Sequence, residues 1–212
     1  MPRLDTSRII ESIGCLRNAQ PGVFGADTHG FRLNPPLPEA DVVIFERKYQ
    51  VSLPHDYRQF LTCVGNGGAG PFYGIFPLGK IDDNFDIRDW QEDDGTVGVL
   101  SRPFPLEEGW NDLSAMPKED IADRDKSEYD REMDAFDRMY WNTSLVNGAI
   151  PICHEGCALR IWLVITGNQA GYLWEDRRSE QSGLKPLRLA DGSSATFKGW
   201  YDEWMKACMA AS

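Results

Sequence analysis

Residues 149–175, AIPICHEGCALRIWLVITGNQAGYLWE, decide the fold of this chain. The stretch contains three apolar runs, which are 149–153, 157–166 and 172–175. Gly167-Asn168 favours a turn between the last two runs, so the pattern predicts an antiparallel meander. The middle run is apolar on both of its alternating faces, and we therefore expect both faces of the sheet to be at least partly covered. A short further strand is predicted at 187–189.

An aromatic helical stripe follows the sheet at the C-terminal end of the sequence. Its members recur at helical spacing and are Phe197, Trp200, Tyr201, Trp204 and Cys208. An aromatic surface of this size has to be buried, and we predict that this helix packs on the sheet.

Three helices are predicted before the sheet. The first spans 5–17, the second begins at Pro38 and the third begins at Pro54. The third has the strongest pattern, because its apolar residues occupy positions i, i+3, i+4 and i+7: Tyr57, Phe60, Leu61 and Val64. Gly65 is predicted to end it in the left-handed conformation, and a strand is predicted at 72–78. Helices at both ends of a central antiparallel sheet predict an α+β fold, which we assign to a single domain over 1–212.

The negative charge of the chain is confined to one segment. The net charge is −11, but residues 82–138 alone contain 19 acidic and 7 basic residues, so the remaining residues sum to +1. We call 82–138 the acidic segment. Its first part, 82–109, is loop-like, whereas 118–141 carries a helical stripe of Tyr129, Met133, Phe136 and Tyr140. We expect this helix to dock through its second half only, as an acidic helical insertion in a core that spans about 38–208.

Composition argues against several classes of partner and location. Phosphate binding needs concentrated Lys and Arg, which the sequence lacks, so nucleic acid is not an expected ligand. The longest strictly apolar stretch of the strand region, 161–165, is far shorter than the ~20 residues that span a bilayer, and charges precede any apolar run at the N-terminus. The five cysteines are an odd number and indicate a reducing compartment. We predict a cytoplasmic protein that binds no membrane.

Residues 65–70, GNGGAG, match the dinucleotide fingerprint G-x-G-x-x-G in the wrong context. The fingerprint requires a strand before it and a helix after it, because the helix N-terminus faces the pyrophosphate. Here it follows a predicted helix and leads through Pro71 towards a predicted strand. We interpret it as a flexible helix-to-strand turn.

Cys153, His154 and Cys157 are the other candidates for chemistry. A structural zinc site needs four ligands, usually as two paired motifs, and the sequence has no second pair. We interpret both cysteines as strand residues that point into the core. A nucleophilic Cys153 activated by a histidine is the enzyme alternative, although adjacent strand residues point to opposite faces, which separates it from His154. No hydrolase, zincin or kinase motif occurs, and we predict no catalytic residue, metal or cofactor.

The start of the acidic segment is the predicted partner-binding site. Its residues are Asp82, Asp83, Asp86, Asp89, Trp90, Glu92, Asp93 and Asp94. The expected partner is a basic protein, because complementary potentials speed encounter and narrow partner choice. A solvated face without a partner and chelation of a hard cation are the alternatives, and the spacing fits no EF-hand loop. An aromatic anchor, Trp90 or Trp110, is a further possibility for the interface.

The order of the motifs resembles the SMI/KNR domain of the SUKH superfamily. The first match is Leu53-Pro54-x-x-Tyr57-x-x-Phe60-Leu61, followed by Asn66-Gly67-Gly68. The later matches, in order, are Ile150-Pro151-Ile152, the strand 159–165, Gly171-Tyr172-Leu173-Trp174 and a closing helix begun by Phe197. The resemblance covers about 38–208. The acidic segment of this sequence, 82–138, is longer and more charged than the family pattern leads us to expect.

The resemblance implies an α+β fold and, in bacteria, an immunity protein that neutralises a toxin delivered by neighbouring cells. A basic, nuclease-type toxin would suit the acidic segment. Fungal relatives are similar to signalling scaffolds, so a scaffold or regulatory binding protein is the alternative. The family offers no agreed catalytic residues to carry over, and fold does not fix the partner.

Overall fold

A computed structural model of the chain describes residues 3–82, 85–86 and 97–212. Four helices precede the strands: α1 (Thr6–Ala19), α2 (Ala26–His29), α3 (Glu39–Tyr49) and α4 (His55–Cys63). The predicted first helix is confirmed, because the Asp5 carboxylate accepts a hydrogen bond from Arg8 N at 3.1 Å and the apolar side is buried. Helices α3 and α4 begin just after Pro38 and Pro54, as predicted.

The segment after α4 departs from the prediction. Val64 and Gly65 both donate backbone hydrogen bonds to Phe60 O, and the chain leaves the helix without a left-handed residue at Gly65. Positive φ angles occur instead at Gly67 (+82°) and Gly68 (+98°). A Cβ on Gly68 would lie 2.4 Å from Arg32 O, so two stretches of backbone cross here at a distance that only glycine permits.

The crossing at Gly68 is bonded on both sides. Gly68 and Ile75 exchange backbone hydrogen bonds of 2.9 and 2.8 Å, and Ala69 N donates to Arg32 O at 2.7 Å. Ile75 also forms an isolated bridge with Cys153. The strand predicted at 72–78 is therefore wrong in extent: only isolated bridges form, because the close approach to residues 32–34 and to the sheet edge interrupts regular pairing.

The central sheet is the predicted antiparallel meander. Its strands, in sheet order, are β3 (Ala149–Gly156), β4 (Leu159–Val164), β5 (Leu173–Asp176) and β6 (Leu184–Pro186). Strand β4 is buried on both faces except at Arg160, which confirms that both sides of the sheet are covered. The last strand lies at Leu184–Pro186 and not at 187–189, where Leu187 N donates to Leu173 O at 2.9 Å but Arg188 forms only an isolated bridge with Ser194.

Among the described residues, two strands and two helices overlap the acidic segment. They are β1 (Lys80–Asp82), β2 (Phe85–Asp86), α5 (Glu119–Arg124) and α6 (Lys126–Tyr140). The single helix predicted at 118–141 is broken at Asp125, whose carboxylate accepts from Glu128 N at 3.1 Å and caps α6. Phe136 and Tyr140 are buried while Tyr129 and Met133 are only partly covered, so docking through the second half is confirmed.

The C-terminal helix, α7 (Phe197–Ala210), buries most of the predicted stripe against other helices. The Phe197 ring lies 5.0 Å from both Tyr57 and Phe60 of α4, and the Tyr201 hydroxyl donates to Ala69 O at 2.8 Å. Asp56 ties the two helices together, because its carboxylate accepts from Lys198 N at 3.0 Å. The buried residues of α7 and those of the sheet belong to one hydrophobic core.

No helix among the described residues combines the length and the apolarity that a membrane crossing requires.

The close approach of Gly68 to Arg32 O leads to a prediction about the stability of the fold. Gly68→Ala is expected to lower the free energy of unfolding by about 3 kcal/mol or more, because left-handed strain is added to a collision with Arg32 O. Gly192→Ala is the matched control: its φ is +83°, but a Cβ there meets nothing within 4 Å, so about 1 kcal/mol is expected. Chemical denaturation measures both, and equal losses in the two variants would contradict the crossing.

Candidate functional site: an anchored acidic helix

Helix α6 presents the acidic segment on the outside of the fold. Residues 119–140 contain nine acidic and four basic side chains. Those of Asp130, Asp134 and Asp137 are exposed, while Phe136 and Tyr140 face the core. Lys126 pairs with Asp130 at 2.8 Å and Arg124 with Asp120 at 3.0 Å, both at the spacing i, i+4. The helix therefore keeps an excess of carboxylates in solvent.

A buried arginine fastens the end of α6 to the sheet. Arg178 is 5% exposed and grips the Asp176 carboxylate in a fork: Nη2 donates to Oδ2 at 2.6 Å and Nε to Oδ1 at 2.9 Å. Its Nη1 donates to Tyr140 O at 3.2 Å, where a cation also favours the carbonyl end of the helix. Trp162 Nε1 donates to Asp176 from the neighbouring strand at 3.3 Å. The acidic helix is thereby linked to two strands.

Tyr140 completes the attachment. Its hydroxyl donates to Asn111 Oδ1 at 2.6 Å, and its ring stacks on Phe136 at 4.9 Å. Burial raises the pKa of Tyr140, so the phenol stays protonated and keeps donating. Trp110, one of the two predicted aromatic anchors, packs against this ring at 5.4 Å and exchanges backbone hydrogen bonds with Leu184. Trp110 is thus part of the attachment of α6.

Of the eight predicted partner-binding residues, only Asp82 and Asp86 lie within the described residues. Asp82 and Asp86 lie on the paired strands β1 and β2, where Asp82 is opposite Phe85 and Asp86 is opposite Lys80. Asp83, Asp89, Trp90, Glu92, Asp93 and Asp94 lie outside the described residues. Their role stays a prediction.

Sequence reasoning missed Trp141, the aromatic residue at the end of α6. Its side chain is 40% exposed, and the Arg178 guanidinium lies 4.9 Å from the centre of its ring. The available signal was its spacing of four residues after Asp137, which continues the exposed acidic side of the helix.

Cys153 does not have the environment of a nucleophile. It is fully buried in β3, and its thiol donates to Pro71 O at 3.3 Å. Burial raises the pKa of this thiol well above its usual value, so it stays protonated at neutral pH. The core position predicted for Cys153 is confirmed. His154, next to it, stacks between Tyr73 at 4.8 Å and Phe76 at 5.6 Å.

The core position predicted for Cys157 is wrong. Cys157 is exposed, and both Cys157 and Ala158 have positive φ angles, 49° and 62°. Two such residues form the tight turn that matches the twist of a two-strand hairpin. Cys157 therefore belongs to the β3–β4 turn and not to a strand, which separates it from Cys153. Among residues 3–82, 85–86 and 97–212, no three His, Cys, Asp or Glu side chains gather closely enough to hold a metal ion.

A charged cluster at the end of the sheet is satisfied internally. Arg177 contacts Glu155 at 2.9 Å, Glu175 at 3.1 Å and Glu180 at 3.0 Å. Burial raises the pKa of Glu155, although Arg177 opposes the shift. Because one guanidinium serves three carboxylates, the cluster is a structural network.

An apolar groove lies on another side of the molecule. Its volume is about 670 Å³, and it is lined by Phe24, Phe72 and two residues of α7, the buried Trp200 and the half-buried Trp204. Phe24 is 64% exposed at its edge. Glu203 and Lys206, of opposite charge, also line it.

The attachment of α6 through Arg178 predicts that replacing this residue strongly destabilises the fold. Arg178→Met leaves the buried Asp176 carboxylate unpaired, and the free energy of unfolding is expected to fall by about 3 to 5 kcal/mol. The matched control, Arg124→Met, breaks the exposed pair with Asp120 and is expected to leave the denaturation midpoint nearly unchanged. If the two variants lost equal stability, Arg178 would not be the anchor.

His29 makes the stability of the fold depend on pH. The ring is buried against Phe31 and Trp204, its Nδ1 accepts from Phe31 N at 3.0 Å, and burial lowers its pKa below the usual 6.5. The unfolded chain therefore takes up the proton first, so this contribution is complete above pH 6.5 and is lost as the pH falls.

The test compares the free energy of unfolding at pH 7.5 and pH 5.5. The wild type is expected to lose more stability on acidification than His29→Asn, in which the amide oxygen keeps the acceptor and nothing titrates. His55→Asn, at an exposed position, controls for the loss of an imidazole. An identical pH response of wild type and His29→Asn would contradict the assignment.

Comparison with known proteins gives one match. The model of the SMI1 / KNR4 family (SUKH-1) matches residues 36–191, nearly three quarters of the chain. No curated protein and no solved structure is significantly similar to it.

Proposed function

The chain belongs to the SMI1 / KNR4 family (SUKH-1), and from this premise we propose that it is an immunity protein that neutralises a cognate toxin by direct association. Members of the family are generally non-catalytic immunity or scaffold proteins. Membership thus supports a binding function, as the sequence resemblance implied. The partner proposed here is a protein with a basic surface, of the nuclease type.

The observation that carries the proposal is the exposed acidity of a helix that is anchored in the fold. The acidic segment has a net charge of −12, and its described helix α6 is held by the buried Arg178. Complementary charge accelerates the encounter with a basic partner, and a fixed helix needs little reordering on binding. The predicted residues between Asp82 and Asp94 belong to the same acidic segment of the sequence, and their part in binding stays a prediction.

The environments of Cys153 and His154 favour direct association over enzymatic turnover. The enzyme alternative depends on Cys153 or His154, but the Cys153 thiol is buried and protonated, and His154 is stacked between two aromatic rings. Neither residue is in a state that supports attack on a substrate. We place the protein in the cytoplasm, a reducing compartment in which its five free cysteines stay reduced.

The proposal predicts that a toxin domain is encoded in the adjacent reading frame, and it is tested with that domain. Co-expression of this chain is expected to restore growth to cells that express the toxin domain. In a titration of the purified proteins, toxin activity is expected to fall linearly to zero at a fixed molar ratio. An unrelated toxin domain of similar charge is the control, and neither protection nor binding is expected for it.

Three outcomes would contradict the proposal. If the toxin domain neither binds nor is neutralised, the immunity function is wrong. If far less than one equivalent abolishes toxin activity, the chain acts by turnover. If the control domain binds equally well, the chain is a scaffold with several partners, which is the alternative for this family.

A further inference from the structure

One side of α6 aligns three carboxylates and a tryptophan. Asp130, Asp134, Asp137 and Trp141 are spaced at i, i+4, i+7 and i+11, and this spacing places them on a single side of a helix. All four side chains are exposed. Trp141 N donates to Asp137 O at 2.9 Å, so the last residue continues the helical turn. We call these four residues the acidic stripe.

The indole of Trp141 is held in place from beneath. Arg178, fixed by its fork with Asp176, lies 4.9 Å from the ring centre, and the Tyr140 ring meets the indole edge-on at 5.8 Å. An exposed aromatic ring that is already ordered loses little conformational entropy when a partner covers it. Tryptophans in this state are the residues that dominate binding energy at protein interfaces.

The charge around the stripe selects the partner. Residues 119–140 have a net charge of −5, although Lys126 pairs with Asp130 at 2.8 Å and Arg138 follows Asp134 by four residues. A basic surface can place Lys or Arg side chains on the carboxylates and cover the indole with an apolar or cationic group. The groove beside Phe24 has no such preference, because Glu203 and Lys206 at its lining have opposite charges.

We propose that the basic surface of the toxin docks on the acidic stripe of α6, with Trp141 as its anchor and the three aspartates as its steering charges. This inference rests on the proposed function and assigns it a surface. The three carboxylates are expected to raise the association rate, and the indole is expected to lower the dissociation rate.

The test measures association and dissociation rates with the purified toxin domain from the adjacent reading frame. The triple variant Asp130→Lys, Asp134→Lys, Asp137→Lys is expected to slow association about tenfold or more at low salt, with the difference shrinking as salt is raised. A second triple variant, with Asn at the same positions, removes the charge without reversing it and is expected to give a smaller effect. The charge control reverses three exposed acidic residues elsewhere, Glu11, Asp27 and Asp41, to Lys.

The anchor is tested with Trp141→Ala, which is expected to raise the dissociation rate about tenfold or more and to leave association nearly unchanged. The matched control is Phe24→Ala, which removes an exposed ring at the groove and is expected to bind like the wild type. Chemical denaturation of each variant establishes that it is folded before its rates are compared.

The outcomes separate this inference from the proposed function. If the wild type binds and protects, but the stripe variants bind equally well, the stripe is wrong and the immunity function stands. If Phe24→Ala weakens binding and Trp141→Ala does not, the toxin uses the apolar groove, which also overturns the stripe. If the charge control slows association as much as the stripe variant, only the total charge matters. A wild type that does not bind overturns both.

Discussion

The contact between Arg178, the Asp176 carboxylate and Tyr140 O holds the acidic helix to the rest of the structure. A guanidinium this deeply buried is stable only if its donors are satisfied, and here the carboxylate fork and the helix carbonyl supply the acceptors. The same group supports the exposed ring of Trp141. The buried guanidinium of Arg178 therefore connects the central sheet to the exposed acidic helix α6.

The fold separates its apolar and its charged parts. The sheet is covered on both faces, the aromatic residues of α7 pack on α4, and Asp130, Asp134 and Asp137 of α6 are exposed while Phe136 and Tyr140 are buried. Repulsion among the carboxylates of α6 is relieved by solvent and by local pairs such as Lys126–Asp130. The proposed recognition of one particular partner would use such a surface, because its charge pattern can change without disturbing the core.

Local periodicity in the sequence predicted most of the helices and strands. The structure departs from these predictions where residues that are distant in the sequence come into contact. The stripes of α4 and α7 and the order of β3, β4 and β5 follow from spacing alone. After α4 the positive φ angles occur at Gly67 and Gly68, and no local pattern indicates the close approach of Gly68 to Arg32. The turn at Cys157 has neither Gly nor Asn in its left-handed positions, so the sequence suggested a strand. For the candidate site, charge density located the acidic segment but not Trp141, whose contact with Arg178 joins residues that are distant in the sequence.

The most direct test of the central claim is hydrogen–deuterium exchange of the free protein and of its complex with the toxin domain. The account predicts that binding slows exchange of the backbone amides over residues 126–141 and leaves 200–208, beside the apolar groove, unchanged. Protection confined to 200–208, with α6 exchanging equally fast in the two states, would contradict it.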